Sequence, residues 1–172
     1  NEDELNIYAK GEGFSYVFSK HYGVFTSIVI NGEEQLAGRM TLSAFRAPTD
    51  NDRNIVKRWK KAGYDNLLAV TKLDGIKEKS CGLGVECEGT LRFDDKDIFE
   101  TEIKYMIYAD GTIKVKTELE RKGLALGSID IPRFGLNVHL RDTLQNVKYY
   151  GLGEKENLPD FDAQSTLGVY EA

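Results

Sequence analysis

The chain has 172 residues, of which 41% are hydrophobic and 30% charged, with a formal net charge of −5. That is enough sequence for one domain, or one large piece of one, with a sizeable core. Acids and bases are interspersed and the aromatics do not alternate with a basic stripe, which argues against a nucleic-acid footprint; no apolar run approaches membrane-spanning length.

The start, Asn1-Glu2-Asp3-Glu4, is acidic and does not read as a signal or transit sequence. The expected location is the cytoplasm, or the periplasm where a signal has been removed. From Leu5 to Leu42 the pattern is strand and turn. Phe14–Phe18 is aromatic and β-branched and follows Gly11 and Gly13. Val24–Ile30 runs into Asn31-Gly32, a strong hairpin signal. A weaker strand opens at Leu36, and a further one covers Met40–Phe45.

Ala44–Arg53 then packs two arginines, acids, an asparagine and a proline into one connection. Pro48 biases Ala47 toward an extended backbone, and Thr49, Asp50 and Asn51 favour tight local turns. The spacing of Ile55, Trp59 and Ala62 predicts a helix over Asn54–Ala62, with Asp52 as N-cap and Gly63 at C′. Trp59 is expected to lie against the sheet.

Strands resume over Asn66–Leu73, with a turn expected at Asp74-Gly75, and again over Gly84–Phe93. Ile98–Glu120 has the clearest alternation in the chain. Phe99, Thr101, Ile103, Tyr105 and Ile107 define one face, and Ile113, Val115, Thr117 and Leu119 continue it. A three-residue turn with Gly111 in the left-handed region pairs Ile107 with Ile113 and Tyr105 with Val115. It also sets Glu102 against Glu118 and Glu100 against Glu120, with Lys104 and Lys116 placed diagonally to offset the repulsion. Arg133–Leu140 and Val147–Leu152 are further strands, and from Gly153 the chain reads as polar loop without a closing strand. Many short strands, one helix and no crossover helices predict an all-β, antiparallel β-sandwich.

Little in this sequence has the spacing of a catalytic centre. Cys81 and Cys87 match no zinc pattern; reduced, partly buried thiols are the favoured reading, a disulfide the alternative. Asp50-x-Asp52-x-Asn54 begins like an EF-hand, but Ile55 and Lys61 stand where the loop needs Gly and Glu. His21 and His139 sit in no metal motif, and no nucleophile elbow is present. Gly82-Leu83-Gly84 and Gly151-Leu152-Gly153 read as turn glycines. A pair such as Glu154 and Glu156 suits glycoside hydrolysis only where two carboxyl groups face one bond.

One resemblance organises these observations. Arg46-Ala47-Pro48-Thr49-Asp50-Asn51-Asp52-Arg53, followed by Trp59-Lys60-Lys61-Ala62-Gly63, resembles the small-chain region of family 2 β-galactosidases, whose pattern reads F-W-R-A-P-T-D-N-D-R…W…A-G. Phe14–Lys20, Gly23 and Asn31-Gly32 match the family's opening hairpins. Tyr149–Asp160 resembles its G-x-G-P-x-E-N-Y-P-D-R segment. Ala44-Phe45 departs from the family's Phe-Trp, as do Glu154, Leu158 and Phe161 from its Pro, Tyr and Arg.

The resemblance implies a galactose-mutarotase-like supersandwich, here a single domain over 1–172 that stops short of the family's full fifth domain. It implies a parent enzyme that hydrolyses terminal β-D-galactosides, lactose among them, with retention. Its catalytic glutamates lie in a TIM barrel, and its magnesium and sodium ligands in other domains, so no cofactor is expected here. The expected partner is that barrel, in the same chain or in a large subunit, with galactoside bound only by the full protein; self-association through an open edge is also expected. Arg46, Pro48, Asp50, Asn51, Asp52, Arg53 and Trp59 are expected to be structural or interdomain anchors, with no catalytic residue and no metal ligand. The alternatives are a free-standing sugar-binding sandwich using Tyr149, Tyr150 and Tyr170, and an assembly domain.

Overall fold

A computed structural model describes residues 1–122, 130–153 and 162–171. The chain divides into two compact units, Asn1–His139 and Leu140–Ala172.

The first unit contains two four-stranded antiparallel sheets, each in sequence order. One is built from β1 (Asn6–Gly11), β2 (Phe14–Ser19), β3 (Val24–Ile30) and the two-residue β4 (Glu33–Glu34). β2 alternates as its sequence suggests, burying Phe14, Tyr16 and Phe18. The β3–β4 turn is the Asn31-Gly32 hairpin read from the sequence. Both residues take positive φ, 51° and 85°, the conformation that matches the twist of the flanking strands.

After β5 (Thr41–Ser43) and the loop and helix that follow it, the second sheet runs through β6 (Leu68–Lys79), β7 (Gly82–Phe93), β8 (Lys96–Tyr108) and β9 (Ile113–Arg121). The β8–β9 register is the expected one. Ile107 faces Ile113, Tyr105 faces Val115, Glu102 faces Glu118 and Glu100 faces Glu120. Gly111 takes φ 85° in the connecting turn. β5 pairs with β10 (Gly135–Asn137), which is all of the predicted Arg133–Leu140 strand that enters a ladder.

The inward faces of the two large sheets pack on each other, giving an antiparallel sandwich. Val85, Cys87, Leu91, Phe99, Ile103 and Tyr105 from one meet Ile7, Tyr16, Phe18 and Phe25 from the other. Tyr105 lies edge-on to Phe18 and Phe25, with centroids 5.0 and 5.4 Å away, and its hydroxyl donates to the Gly23 carbonyl at 2.9 Å. Tyr16 donates to the Gly111 carbonyl at 2.7 Å. Each phenol fills core volume and satisfies its one polar atom on the opposite sheet's turn.

Several expectations need correction. Asp74-Gly75 is not a turn. β6 continues to Lys79, and the ladder slips by one residue between Leu73 and Gly75. Asp74 is left exposed as a bulge, so that Leu73 and Ile76 can both pack inward. The turn falls instead at Ser80-Cys81. Lys104 and Lys116 face each other directly, and their contacts with Glu102 and Glu118 run along their own strands, each at 2.5 Å. The predicted helix is shorter, Val56–Lys61 (α1), and is preceded by a 3-10 turn at Asp50–Asp52.

In the second unit, β11 (Lys148–Gly153) and β12 (Thr166–Glu171) form a hairpin. The loop-like reading beyond Gly153 therefore missed a closing strand. Its alternation is carried by Leu167 and Val169 against Gly168 and Tyr170, and three glycines in the register, Gly151, Gly153 and Gly168, hide it from propensity. Glu154, Glu156, Leu158 and Phe161 lie outside the described residues. No helix among the described residues is long and apolar enough to cross a membrane.

Candidate functional site

Residues 44–53 connect β5 to α1. The connection starts from a braced strand end, where Ser43 Oγ accepts the Phe45 N–H at 3.3 Å and donates to the Phe45 carbonyl at 3.2 Å. Arg46 then turns back over its own loop. Its guanidinium forks onto Asp52, Nη1 to Oδ2 at 2.5 Å and Nη2 to Oδ1 at 3.0 Å, and Nη1 also donates to the Ala47 carbonyl at 3.1 Å. Two parallel charge-assisted bonds fix orientation as well as distance, which a lysine could not do.

Asp52 has a second set of donors. The Thr49 N–H reaches Oδ2 at 2.7 Å, and the Thr49 hydroxyl donates to the same oxygen at 3.1 Å. Asp52 is thus the hub of the loop and not the N-cap of α1, a role taken by Ile55. It is buried, while Pro48, Asp50, Asn51 and Arg53 are exposed. The hydrogen bond from Arg46, followed by that from the Thr49 backbone, holds the Asp52 carboxyl below its ordinary range. The usable signal was present in the sequence: Thr49-x-x-Asp52 has the spacing of a capping box around a short turn.

α1 delivers Trp59 beneath this loop. The indole is 3% exposed, has the Phe45 ring edge-on at 6.4 Å, and carries the Arg46 guanidinium 5.5 Å from its centroid. That arrangement combines cation–π attraction with the fork to Asp52. Trp59 Nε1 has no hydrogen-bond partner among the described residues. The helix ends at Gly63, with φ 75°, as its predicted C′ position requires. Beyond it, Tyr64 is buried and accepts a bond from Arg121 Nη2 at 3.2 Å. A cavity of about 530 Å³ opens beside the loop, lined by Ser43, Arg46, Tyr64, Asp65, Arg133 and Asn137 among others.

The structure therefore brings Arg46, Asp52 and Trp59 into one cluster and sets Pro48, Asp50, Asn51 and Arg53 on its outer rim. Other candidates lie apart from it. His21 and His139 are exposed, and His21 lies edge-on to Tyr22 with centroids 4.7 Å apart. Both cysteines are free. Cys81 sits exposed in the β6–β7 turn, and Cys87 is in the core, where burial pushes its thiol up to about 12. Among the described residues no group of three or more His, Cys, Asp or Glu side chains is arranged to hold a metal ion. Tyr149, Tyr150 and Tyr170 do not form one platform. Tyr149 and Tyr170 pair on one face of the β11–β12 hairpin with centroids 5.6 Å apart, whereas Tyr150 lies on the other face and is 72% exposed.

Fold and loop together define a class: an all-β sandwich domain whose Arg46–Asp52 cluster is knitted into its own loop backbone. Comparison with known proteins narrows this. The family model described as β-galactosidase small chain matches residues 10–172, and the chain belongs to that family. Among its relatives, the β-galactosidase of Actinobacillus pleuropneumoniae is 32% identical across 98% of this chain. Those of Lactobacillus delbrueckii subsp. bulgaricus and Streptococcus thermophilus are 28% and 29% identical, each across 99% of it. The matched regions are 17%, 17% and 16% of the three relatives, so the chain spans about one sixth of the length of the proteins it resembles.

Proposed function

We propose that this chain is a non-catalytic domain of a β-galactosidase. The parent enzyme would hydrolyse terminal β-D-galactosides with retention, and the domain would pack on the catalytic barrel and help shape its active site. The single observation that carries this reading is the disproportion in the comparisons: nearly the whole chain aligns, but to about one sixth of each relative. The loop geometry supports the same role. A bidentate Arg46–Asp52 fork seated on Trp59 holds a rim of Pro48, Asp50, Asn51 and Arg53 in fixed presentation, as an interdomain contact needs. A preorganised rim loses little conformational entropy on docking.

On this reading the partner is the barrel, in the same chain or in a large subunit, and the enzyme works in the cytoplasm. Any magnesium or sodium ions belong to its other domains. The test is a chromogenic galactoside assay on the purified 172-residue chain and on the parent enzyme with and without it. The chain alone should release nothing above buffer, and activity should require the remainder of the enzyme. Measurable turnover by the chain itself would overturn the proposal.

A further inference from the structure

Among the described residues β9 is an edge strand of the second sheet, and its exposed face carries charges in a particular order. Reading outward-facing residues along it gives Lys114, Lys116, Glu118 and Glu120, with Thr117 at the middle of Ile113–Arg121. The backbone phase is fixed at both ends. Tyr108 N–H donates to Thr112 O at 2.9 Å, and Lys122 N–H donates to Ile98 O at 2.9 Å. In an antiparallel ladder the bonded positions alternate, so even-numbered residues direct their backbone groups to β8. The N–H and C=O groups of Ile113, Val115, Thr117 and Leu119 point off the edge.

We infer that this edge pairs with a second copy of the same chain, β9 against β9 antiparallel about a twofold axis at Thr117. The two sheets then join into one continuous sheet. In that register Thr117 pairs with its own copy and Val115 with Leu119 of the other chain, through the backbone groups that point off the edge. Lys116 falls opposite Glu118 of the second copy, and Lys114 opposite Glu120, each pair occurring twice by symmetry. These charged pairs occupy the non-hydrogen-bonded positions, where facing side chains approach most closely. No like charges are directly opposed across the junction.

The pairing also resolves an oddity within one chain. β8 and β9 set Glu102 against Glu118, Glu100 against Glu120, and Lys104 against Lys116. Like charges directly opposite each other destabilise a sheet. The second copy supplies each of Lys116, Glu118 and Glu120 with an opposite charge on its other side. Lys116 and Glu118 are 65% and 56% exposed, so they can exchange their in-strand contact for one across the junction. Lys114 and Glu120 make no ion pair among the described residues. Open edges are commonly guarded by lysine. Here the lysines are matched by glutamates at mirrored positions, which converts a guard into self-recognition. The inference is independent of the galactosidase reading, because it rests on the strand alone.

The experiment is sedimentation equilibrium on the 172-residue chain and two charge-reversed variants. Wild type should show a monomer–dimer equilibrium whose dissociation constant rises about tenfold between low and high salt, as screening removes the cross-junction pairs. One variant combines Lys114→Glu with Lys116→Glu, the other Glu118→Lys with Glu120→Lys. Each presents a single sign along the edge, so each alone should dissociate at least about a hundredfold more readily. Mixed together they should form a one-to-one heterodimer, because every junction pair again has opposite signs. Misfolding does not imitate this pattern, since Glu118→Lys and Glu120→Lys each place an ammonium opposite a β8 carboxylate within the chain, and a misfolded variant would not recover on mixing. A monomeric wild type, a reversed variant that still dimerises alone, or a mixture that fails to associate would each overturn the inference.

Discussion

At the scale of the residue, Asp52 carries the densest set of obligations in the loop. It accepts from Arg46 twice and from Thr49 twice, and its carboxyl titrates below the ordinary value because of them. A depressed native pKa means that the unfolded chain takes up the proton first as pH falls. The stabilisation is therefore fully present above the ordinary Asp value of 3.8 and is lost as pH drops through the lower native one. Asp52→Asn removes both the fork and this dependence. At pH 7 the variant should melt a few degrees below wild type, and in melts at successively lower pH the gap should close below about pH 4. A gap that is constant down to pH 3 would show that the carboxylate charge contributes nothing.

At the scale of the element, the sequence was most informative where pattern is local. The hairpin at Asn31-Gly32 and the β8–β9 register were legible because turn chemistry and face alternation pointed to one solution. The bulge at Asp74 was not, because Asp-Gly serves a turn or a bulge equally well, and only the demand that Leu73 and Ile76 both face the core selects the bulge. The loop itself was legible as a fixed connection. Asp52, expected as the N-cap of the helix, instead closes the 3-10 turn that Thr49 begins, because Thr49-x-x-Asp52 encloses that turn and not the start of α1. That Arg46 reaches back to Asp52 over Trp59 is a matter of side-chain direction, which spacing does not give. Gly63 offers the sharpest test at this scale. An added Cβ would lie 2.0 Å from the Phe93 ring at a φ of 75°, whereas at Gly32, with φ 85°, it would meet open space. Gly63→Ala combines backbone strain with a core clash and should cost about 2–4 kcal/mol, while Gly32→Ala should cost about 1–2 kcal/mol from strain alone. Equal losses in denaturant melts would mean that the Phe93 ring moves aside freely.

At the scale of the whole molecule, the assignment to the β-galactosidase small-chain family rests on nearly the full length of this chain, whereas about five-sixths of each relative lies outside the match. Composition and periodicity led to the sandwich, and the signature from Arg46 to Arg53 led to the family. Neither could show whether that signature catalyses or braces. The structure adds that Asp52 is buried and takes four hydrogen bonds from Arg46 and Thr49 of its own loop, three of them on Oδ2, while Pro48, Asp50, Asn51 and Arg53 around it are exposed.

The order of strands in the two large sheets has a kinetic consequence. Each sheet is a meander in which every strand pairs with its neighbour in sequence, so most of the ladder closes through short turns. The pairing of Thr41–Ser43 with Gly135–Asn137 is different, since it joins segments nearly a hundred residues apart by a ladder of three residues. Closing so long a loop costs entropy that so short a ladder repays poorly, which places this pairing late in folding and early in local opening. In native-state hydrogen exchange, amides of Leu42 and Leu136 should therefore exchange well before those of Val85 and Ile103 in the central strands; equal protection would mean that the sandwich opens only as a whole. The strand that feeds the Arg46–Asp52 loop is thus held from outside by a three-residue ladder that closes the longest loop between paired strands of the first unit. Opening it would release the loop's entry while leaving both hydrophobic sheets closed.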